Sequence, residues 1–192
     1  MSPLLTSFTN ANKALTDFIA DQENISRVEK LAVRMADCFQ NGGKVIIFGN
    51  GGSACDAAHF AEEFTGRYRQ DRRALPVITV NDGGHITCVA NDYGFESIFS
   101  RMVEAFCKPG DIVIGLSTSG NSANVIKAME AAQTCSATTV ALIGKDGGKM
   151  TEQYDYEWLI PGETSDRIQE IHMLILHILI EGVERILFPE NY

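Results

Sequence analysis

The sequence predicts an α/β protein: a doubly wound, mostly parallel five-stranded sheet with two extra helices ahead of it and one long helix at its end. Two observations carry that expectation. Five short apolar runs, at residues 45–48, 75–80, 111–117, 138–144 and 156–161, are separated by stretches whose apolar residues recur at helical spacing. Several of these runs also feed a turn of glycine or small polar residues that opens the next helix. Repeated strand–turn–helix units build an open sheet whose ligands lie beyond the carboxyl ends of the strands.

With 192 residues, 45% of them hydrophobic, the chain suits a single domain, 1–192, around one sizeable core. Residues 4–21 and 24–41 read as helices, and Val28, Leu31, Ala32, Met35 and Phe39 form a one-sided stripe on the second. This segment, 1–41, is expected to pack on the sheet or on a neighbouring subunit. The first strand, Val45 to Phe48, runs straight into Gly49-Asn50-Gly51-Gly52-Ser53 and then a helix carrying His59 and Glu63. Glycines let backbone N–H groups approach a ligand, and a helix start adds about half a positive charge, so the turn suits an anionic sugar or phosphate. It has neither the G-x-G-x-x-G nor the G-x-x-x-x-G-K-[ST] spacing, which argues against a dinucleotide or a nucleoside triphosphate. His59 and Glu63 share one helix face and could hold a metal ion or a substrate, or could form only a surface contact.

LPVITV, 75–80, reads as a second strand with an edge-like start at Pro76. Asn81 to Gly84 breaks it, a short helix runs through Cys88, and Asn91-Asp92-Tyr93-Gly94 reads as a polar turn. One helix is expected over roughly 95–107. DIVIGLS, 111–117, is an unbroken apolar run of the kind found in a central strand covered on both faces. It feeds Ser117-Thr118-Ser119-Gly120-Asn121-Ser122 and a helix to about Gln133. Four hydroxyls at a helix start, with no basic residue among them, favour phosphate held by neutral donors and the helix dipole, since an ordinary cap needs one hydroxyl.

TTVALIG, 138–144, a turn at Lys145 to Gly148 and YEWLIP, 156–161, complete the sheet. The final helix, about Asp166 to Leu187, is apolar nearly all round between Ile171 and Ile180, and is expected to be buried by the sheet and by a neighbouring subunit. Asp166 with Gln169 has the form of a capping box. His177 lies ~12 Å along the axis from Gln169, so these two could only just straddle one ion from a single helix. His177 reads equally well as a buried histidine bonded to a carbonyl.

A net charge of −9 argues against a nucleic-acid partner, and the only basic cluster (Arg67, Arg69, Arg72, Arg73) is interrupted by Asp71. Five scattered cysteines without a C-x-x-C indicate neither a disulfide framework nor a cysteine zinc site, and fit a reducing cytoplasm. Neither an export signal nor a membrane-length apolar run is read, so no membrane partner is expected.

The segments GNGGSACDAAHFAEEFTGRY, ANDYG, STSGNSANV, GKDGGKM and DRIQEIH with a later histidine closely resemble the SIS, or sugar isomerase, family over about residues 24–188. The H-x-x-x-E pair with DRIQEIH resembles its phosphoheptose isomerase branch. The resemblance implies the flavodoxin-like SIS fold and a homotetramer with active sites between subunits. The implied reaction converts sedoheptulose 7-phosphate to D-glycero-D-manno-heptose 7-phosphate through an enediol, the first step toward ADP-heptose and the lipopolysaccharide inner core. His59, Glu63, Gln169 and His177 would hold a divalent metal, with one zinc ion per site expected. Asn50, Gly51, Gly52, Ser53, Glu63, Asn91, Asp92, Ser117, Thr118, Ser119, Ser122 and Gln169 would line the sugar-phosphate site.

Moving a proton between C1 and C2 needs a carbon base, an oxygen acid and a positive charge or dipole at the developing oxyanion, roles that Glu63, His177 and the metal can fill. A zinc-bound carboxylate is a weaker base, so Glu63 in that role must be loosely held. Two alternatives stand beside this one. A non-catalytic SIS protein would sense a sugar phosphate or bind the replication initiator DnaA, and the tail ILFPENY looks like that of the DnaA-binding relative, which lacks the acidic group at the Glu63 position. An isomerase could also act on another sugar phosphate. If Gln169 and His177 met His59 and Glu63 across a subunit boundary, each site would be shared between chains.

Overall fold

The computed structural model describes residues 2–192. Strands β1 (Val45–Gly49), β2 (Val77–Thr79), β3 (Ile112–Ser117), β4 (Thr138–Gly144) and β5 (Tyr156–Ile160) form one sheet in the order β2-β1-β3-β4-β5. Every pair is parallel, with Val45 opposite both Val77 and Ile112, Ile112 opposite Thr138, and Val140 opposite Tyr156. The order reverses direction between β1 and β3, which opens a crevice at their carboxyl ends.

Among the described residues seven α-helices cover the sheet: α1 (Pro3–Ala20), α2 (Gln22–Gln40), α3 (Gly52–Thr65), α4 (Gly83–Tyr93), α5 (Ser100–Phe106), α6 (Ala123–Thr134) and α7 (Ser165–Leu187). Alternate strand residues feed two cores. Val45, Ile47, Ile114, Leu116, Leu142 and Trp158 pack with α2, α3 and α7 on one face, and Ile46, Phe48, Val113, Ala141 and Ile143 pack with α5 and α6 on the other. Because both faces are covered, the central strands read as unbroken apolar runs, each buried Ile or Phe contributing roughly 1.5–3 kcal/mol.

The N-terminal segment packs within the chain. Leu31 and Met35 of α2 are fully buried, and Arg27 and Asn24 tie this helix to β5 through the Glu157 carbonyl (2.6 Å) and the Trp158 indole N–H (3.3 Å). On α1, Leu4, Leu5 and Phe8 remain exposed at 74%, 53% and 74%. Among the described residues no helix is long and apolar enough to cross a membrane.

Four local expectations are corrected. Strand β2 is shorter than 75–80, because Pro76 has no N–H to give and the Leu75 N–H is spent on the Phe64 carbonyl (3.0 Å). The residues Asn91, Asp92 and Tyr93 are the last turn of α4, which starts at Gly83 under an Asp82 cap and ends only where Gly94 adopts φ +87°. The stretch 95–107 is a 3₁₀ turn (Phe95–Ser97) followed by α5, with Ile98 and Phe99 between them turned into the core. The cap of α7 is Thr164 and makes no side-chain cap bond. Asp166 instead accepts hydrogen bonds from Thr164 and Arg167, which hold its carboxyl down to about 2.

Candidate active site

Helices α3 and α7 follow the parallel strands β1 and β5, cover the same face, and so run side by side in the same direction. Their buried rows, Ala57, Phe60 and Phe64 against Ile171, Ile175 and Leu179, join one core and leave polar positions facing one another at the flank. There, His59 Nε2 lies 3.0 Å from His177 Nε2 and 3.6 Å from Glu63 Oε1. Ligand atoms of these three residues all fall within 4.8 Å of one another. The Nδ1 of His59 meets Glu62 Oε1 at 3.0 Å, which fixes the ring with its Nε2 toward the cluster.

Burial lifts the Glu63 carboxyl above the ordinary carboxylate range, and the nearby Glu62 adds to the rise. Burial likewise lowers His177, with His59 acting in the same direction. Both groups are pushed toward their neutral forms. Tyr68 lies over the His177 ring, with centroids 6.0 Å apart and planes 24° apart.

Gln169 joins this flank through Asp56 of α3, whose Oδ1 accepts from Gln169 Nε2 at 3.0 Å. The positions on α7 are thus matched by positions on α3, Gln169 with Asp56 and His177 with His59. Within one chain, His59, Glu63 and His177 come together, while Gln169 meets α3 at Asp56. The donors suit a zinc-like ion. Bonds of ~2.0–2.1 Å in tetrahedral geometry set ligand atoms ~3.3 Å apart, and the observed 3.0 and 3.6 Å bracket that spacing.

At the β1/β3 crevice, Gly51 takes φ +57°, a conformation that favours glycine, and α3 opens at Gly52. Ser53 is buried in the first turn of that helix. Asn50 and Asn124 exchange two side-chain hydrogen bonds of 2.8 Å, tying the β1 loop to the start of α6. In the β3 loop, the Ser117 hydroxyl lies 2.9 Å from that of Ser122 and 3.5 Å from that of Ser119, and Thr118 bonds Ser165 at the start of α7 (3.2 Å). The loop is backed by residues 147–149, where the Lys149 N–H donates to the Gly120 carbonyl (3.0 Å).

Asn91 and Asp92 are exposed and hydrogen-bond each other (2.8 Å), and no bond joins them to the cluster or to the β3 loop. His172 is the buried histidine bonded to a carbonyl, that of Ile143 (3.2 Å), and burial lowers it to about 4. Sequence reasoning missed Asp56, Tyr68 and Asn124. Asp56 carried a usable signal, since positions 56, 59 and 63 fall on one helical face. Tyr68 and Asn124 carried none, their contacts being tertiary.

An open α/β sheet with a glycine turn and a serine loop at its switch point, flanked by an imidazole–carboxylate cluster, defines a sugar-phosphate-handling class of protein. The family model described as "SIS domain" matches residues 7–144. The chain is 60% identical to the phosphoheptose isomerase of Fusobacterium nucleatum, over 98% of this chain and 97% of that protein. Two solved structures share the fold along nearly the whole length. A phosphoheptose isomerase from Neisseria gonorrhoeae has a TM-score of 0.87 at 36% identity, covering 94% of this chain and 96% of that one. One from Francisella tularensis has a TM-score of 0.90 at 32% identity, covering 95% and 96%. The chain belongs to the phosphoheptose isomerase family of SIS-domain proteins.

Proposed function

We propose that this chain isomerises sedoheptulose 7-phosphate to D-glycero-D-manno-heptose 7-phosphate, toward ADP-heptose and the lipopolysaccharide inner core. The observation that carries this reading is the convergence of His59, Glu63 and His177 within 4.8 Å in a chain 60% identical to a phosphoheptose isomerase. The phosphate would rest on the hydroxyls of Ser117, Thr118, Ser119 and Ser122 and the N–H groups at the start of α6. Asn50, Gly51, Gly52, Ser53, Asn91, Asp92 and Gln169 would hold the sugar hydroxyls.

Glu63 takes a proton from C1 of the open-chain ketose while His177, whose Nε2 is turned to His59 and the cluster, donates one to O2 from Nδ1, giving an enediol. Glu63 then returns its proton to C2 as the O1 hydroxyl gives its proton to His177, which leaves the C1 aldehyde and restores both groups. Burial of Glu63 supports the role of base, because a carboxyl with a raised affinity for protons removes one from carbon more readily. His59, Glu63, Gln169 and His177 would hold a divalent ion such as zinc, which when bound supplies positive charge at the developing oxyanion. One Glu63 oxygen faces His59, so the other is left for the substrate.

The exposed Leu4, Leu5 and Phe8 of α1 support self-association as a homotetramer, since a soluble monomer rarely leaves such an apolar patch in water. The reading includes neither a nucleic-acid nor a membrane partner and puts the chain in the cytoplasm. Incubating the pure protein with pentulose, hexulose and heptulose phosphates and identifying products by NMR tests it. The heptose phosphate should form fastest. Faster turnover of a shorter ketose would reassign the substrate, and no turnover at all would make the chain a sugar-phosphate binding protein.

A further inference from the structure

Asp56 stands beside the cluster without belonging to it. It is absent from the group whose ligand atoms meet within 4.8 Å, and it is only 8% exposed. Its Oδ1 accepts from Gln169 Nε2 at 3.0 Å, whereas its Oδ2 is buried without any hydrogen-bond partner. Leaving a carboxylate oxygen in that state costs at least ~1–3 kcal/mol, so the group needs another source of stabilisation. Burial pushes the Asp56 carboxyl above the ordinary carboxylate range, while the hydrogen bond from Gln169 and the nearby imidazoles of His59 and His177 act in the opposite sense, as a cation held at the cluster would.

The chemistry of the pair fixes an orientation. The end of the Gln169 amide that faces Asp56 is the NH2, whose Nε2 donates to Oδ1, the arrangement that suits a carboxylate accepting hydrogen bonds. The carbonyl Oε1 is thereby turned away from Asp56. It lies against Gly52, where any Cβ would collide with it, so the glycine makes room for the amide. The two ends of a glutamine amide have nearly the same shape, and only the oxygen can ligate a metal ion. Among the described residues the side-chain hydrogen bond of Gln169 is the one to Asp56, and Gly52 lies close to both ends of the amide.

We infer that Asp56 is a positioning residue that sets the flip of the Gln169 amide, holding its amine inward and leaving its carbonyl oxygen for the ion. The inference rests on the metal site proposed above. It gives the buried carboxylate a task that its own distance from the cluster denies it, and it explains why α3 carries an acid one turn before His59.

The test is zinc affinity, measured on the chelator-stripped full-length protein by competition with a chromophoric chelator at fixed pH, with the thermal melt as a control for folding. Asp56→Asn presents an amide whose either end can face Gln169, so the fixed orientation is lost. Affinity should fall 10- to 100-fold, the range for removing a partner that orients a metal ligand. Combining it with Gln169→Glu swaps the chemistry of the pair, since the asparagine amine then donates to one glutamate oxygen and leaves the other for the ion. That double variant should recover at least wild-type affinity.

Zinc binding by Asp56→Asn within fivefold of wild type overturns the inference, as does a double variant no better than the single one. A wild-type chain that takes up no zinc overturns the metal site itself and the inference with it, so the two failures are told apart.

Discussion

Two parts of the candidate site are built in opposite ways. After β3, six consecutive residues, Ser117 to Ser122, provide four hydroxyls and a helix start, backed by the turn around Gly147 and by one bond from Thr118 to Ser165. On the flank of α3 and α7, the reacting groups come from positions as far apart as His59 and His177, 118 residues along the chain, and each acts alone. A loop of redundant neutral donors tolerates the loss of one. A cluster of single groups does not, and it depends on whatever keeps the two helices aligned.

The largest effect expected from this contrast concerns that alignment. Arg72 and Glu184 form an ion pair at 2.8 Å with both side chains 1% exposed, and the same guanidinium donates to the carbonyls of Glu63 (2.6 Å), Phe64 and Gly66 (2.8 Å each). It therefore fastens the end of α3, where Glu63 sits, to α7. Arg72→Ala leaves Glu184 buried with only the Tyr192 hydroxyl at 3.0 Å, and should cost ~3–5 kcal/mol of stability. Denaturant unfolding at fixed protein concentration measures it. A loss under about 1 kcal/mol would mean that core packing alone holds the helices in register.

Next comes the reacting carboxylate. Glu63→Gln keeps the shape of the side chain and removes its ability to take a proton, so kcat should fall at least ~100-fold, about 2.7 kcal/mol in the barrier, with the melting temperature little changed. Steady-state turnover decides it. Retention of more than about half the wild-type kcat would take Glu63 out of the role of base.

The same contrast separates what the sequence made legible from what it did not. The sheet could be read because Val45 to Phe48 and Ile112 to Leu116 are buried on both faces and so are apolar without interruption. Both binding loops could be read because turn chemistry is local. Asn91 and Asp92 were misread as a turn for a related reason: their turn propensity is real, but the helix keeps them until Gly94 supplies the positive φ that ends it. Across the two helices, the residues resembling the family's metal ligands could be named, but not the contacts between them. Bringing His59, Glu63 and His177 together required knowing that α3 and α7 are parallel neighbours. Asp56, Tyr68 and Asn124 earn their importance only from partners at Gln169, His177 and Asn50.

The smallest expected effect is on the loop, and Ser122 is the place to look for it. It occupies the N-cap position of α6, yet its hydroxyl makes no cap bond and faces that of Ser117 at 2.9 Å. A serine that capped the helix would cost ~0.5–2 kcal/mol on replacement by alanine. With no cap bond to lose, Ser122→Ala should change stability by less than about 0.5 kcal/mol. The hydroxyl would then matter only to the ligand, as one neutral donor among several, worth ~0.5–1.5 kcal/mol. The expected result is a KM for the sugar phosphate raised roughly 2- to 10-fold with kcat nearly unchanged, because binding to substrate and transition state is lost alike. A fall in stability with an unchanged KM would return Ser122 to the role of an ordinary cap. A loss of kcat comparable to that of Glu63→Gln would mean that the loop, too, works through single irreplaceable groups, and the contrast between the two parts of the site would not hold.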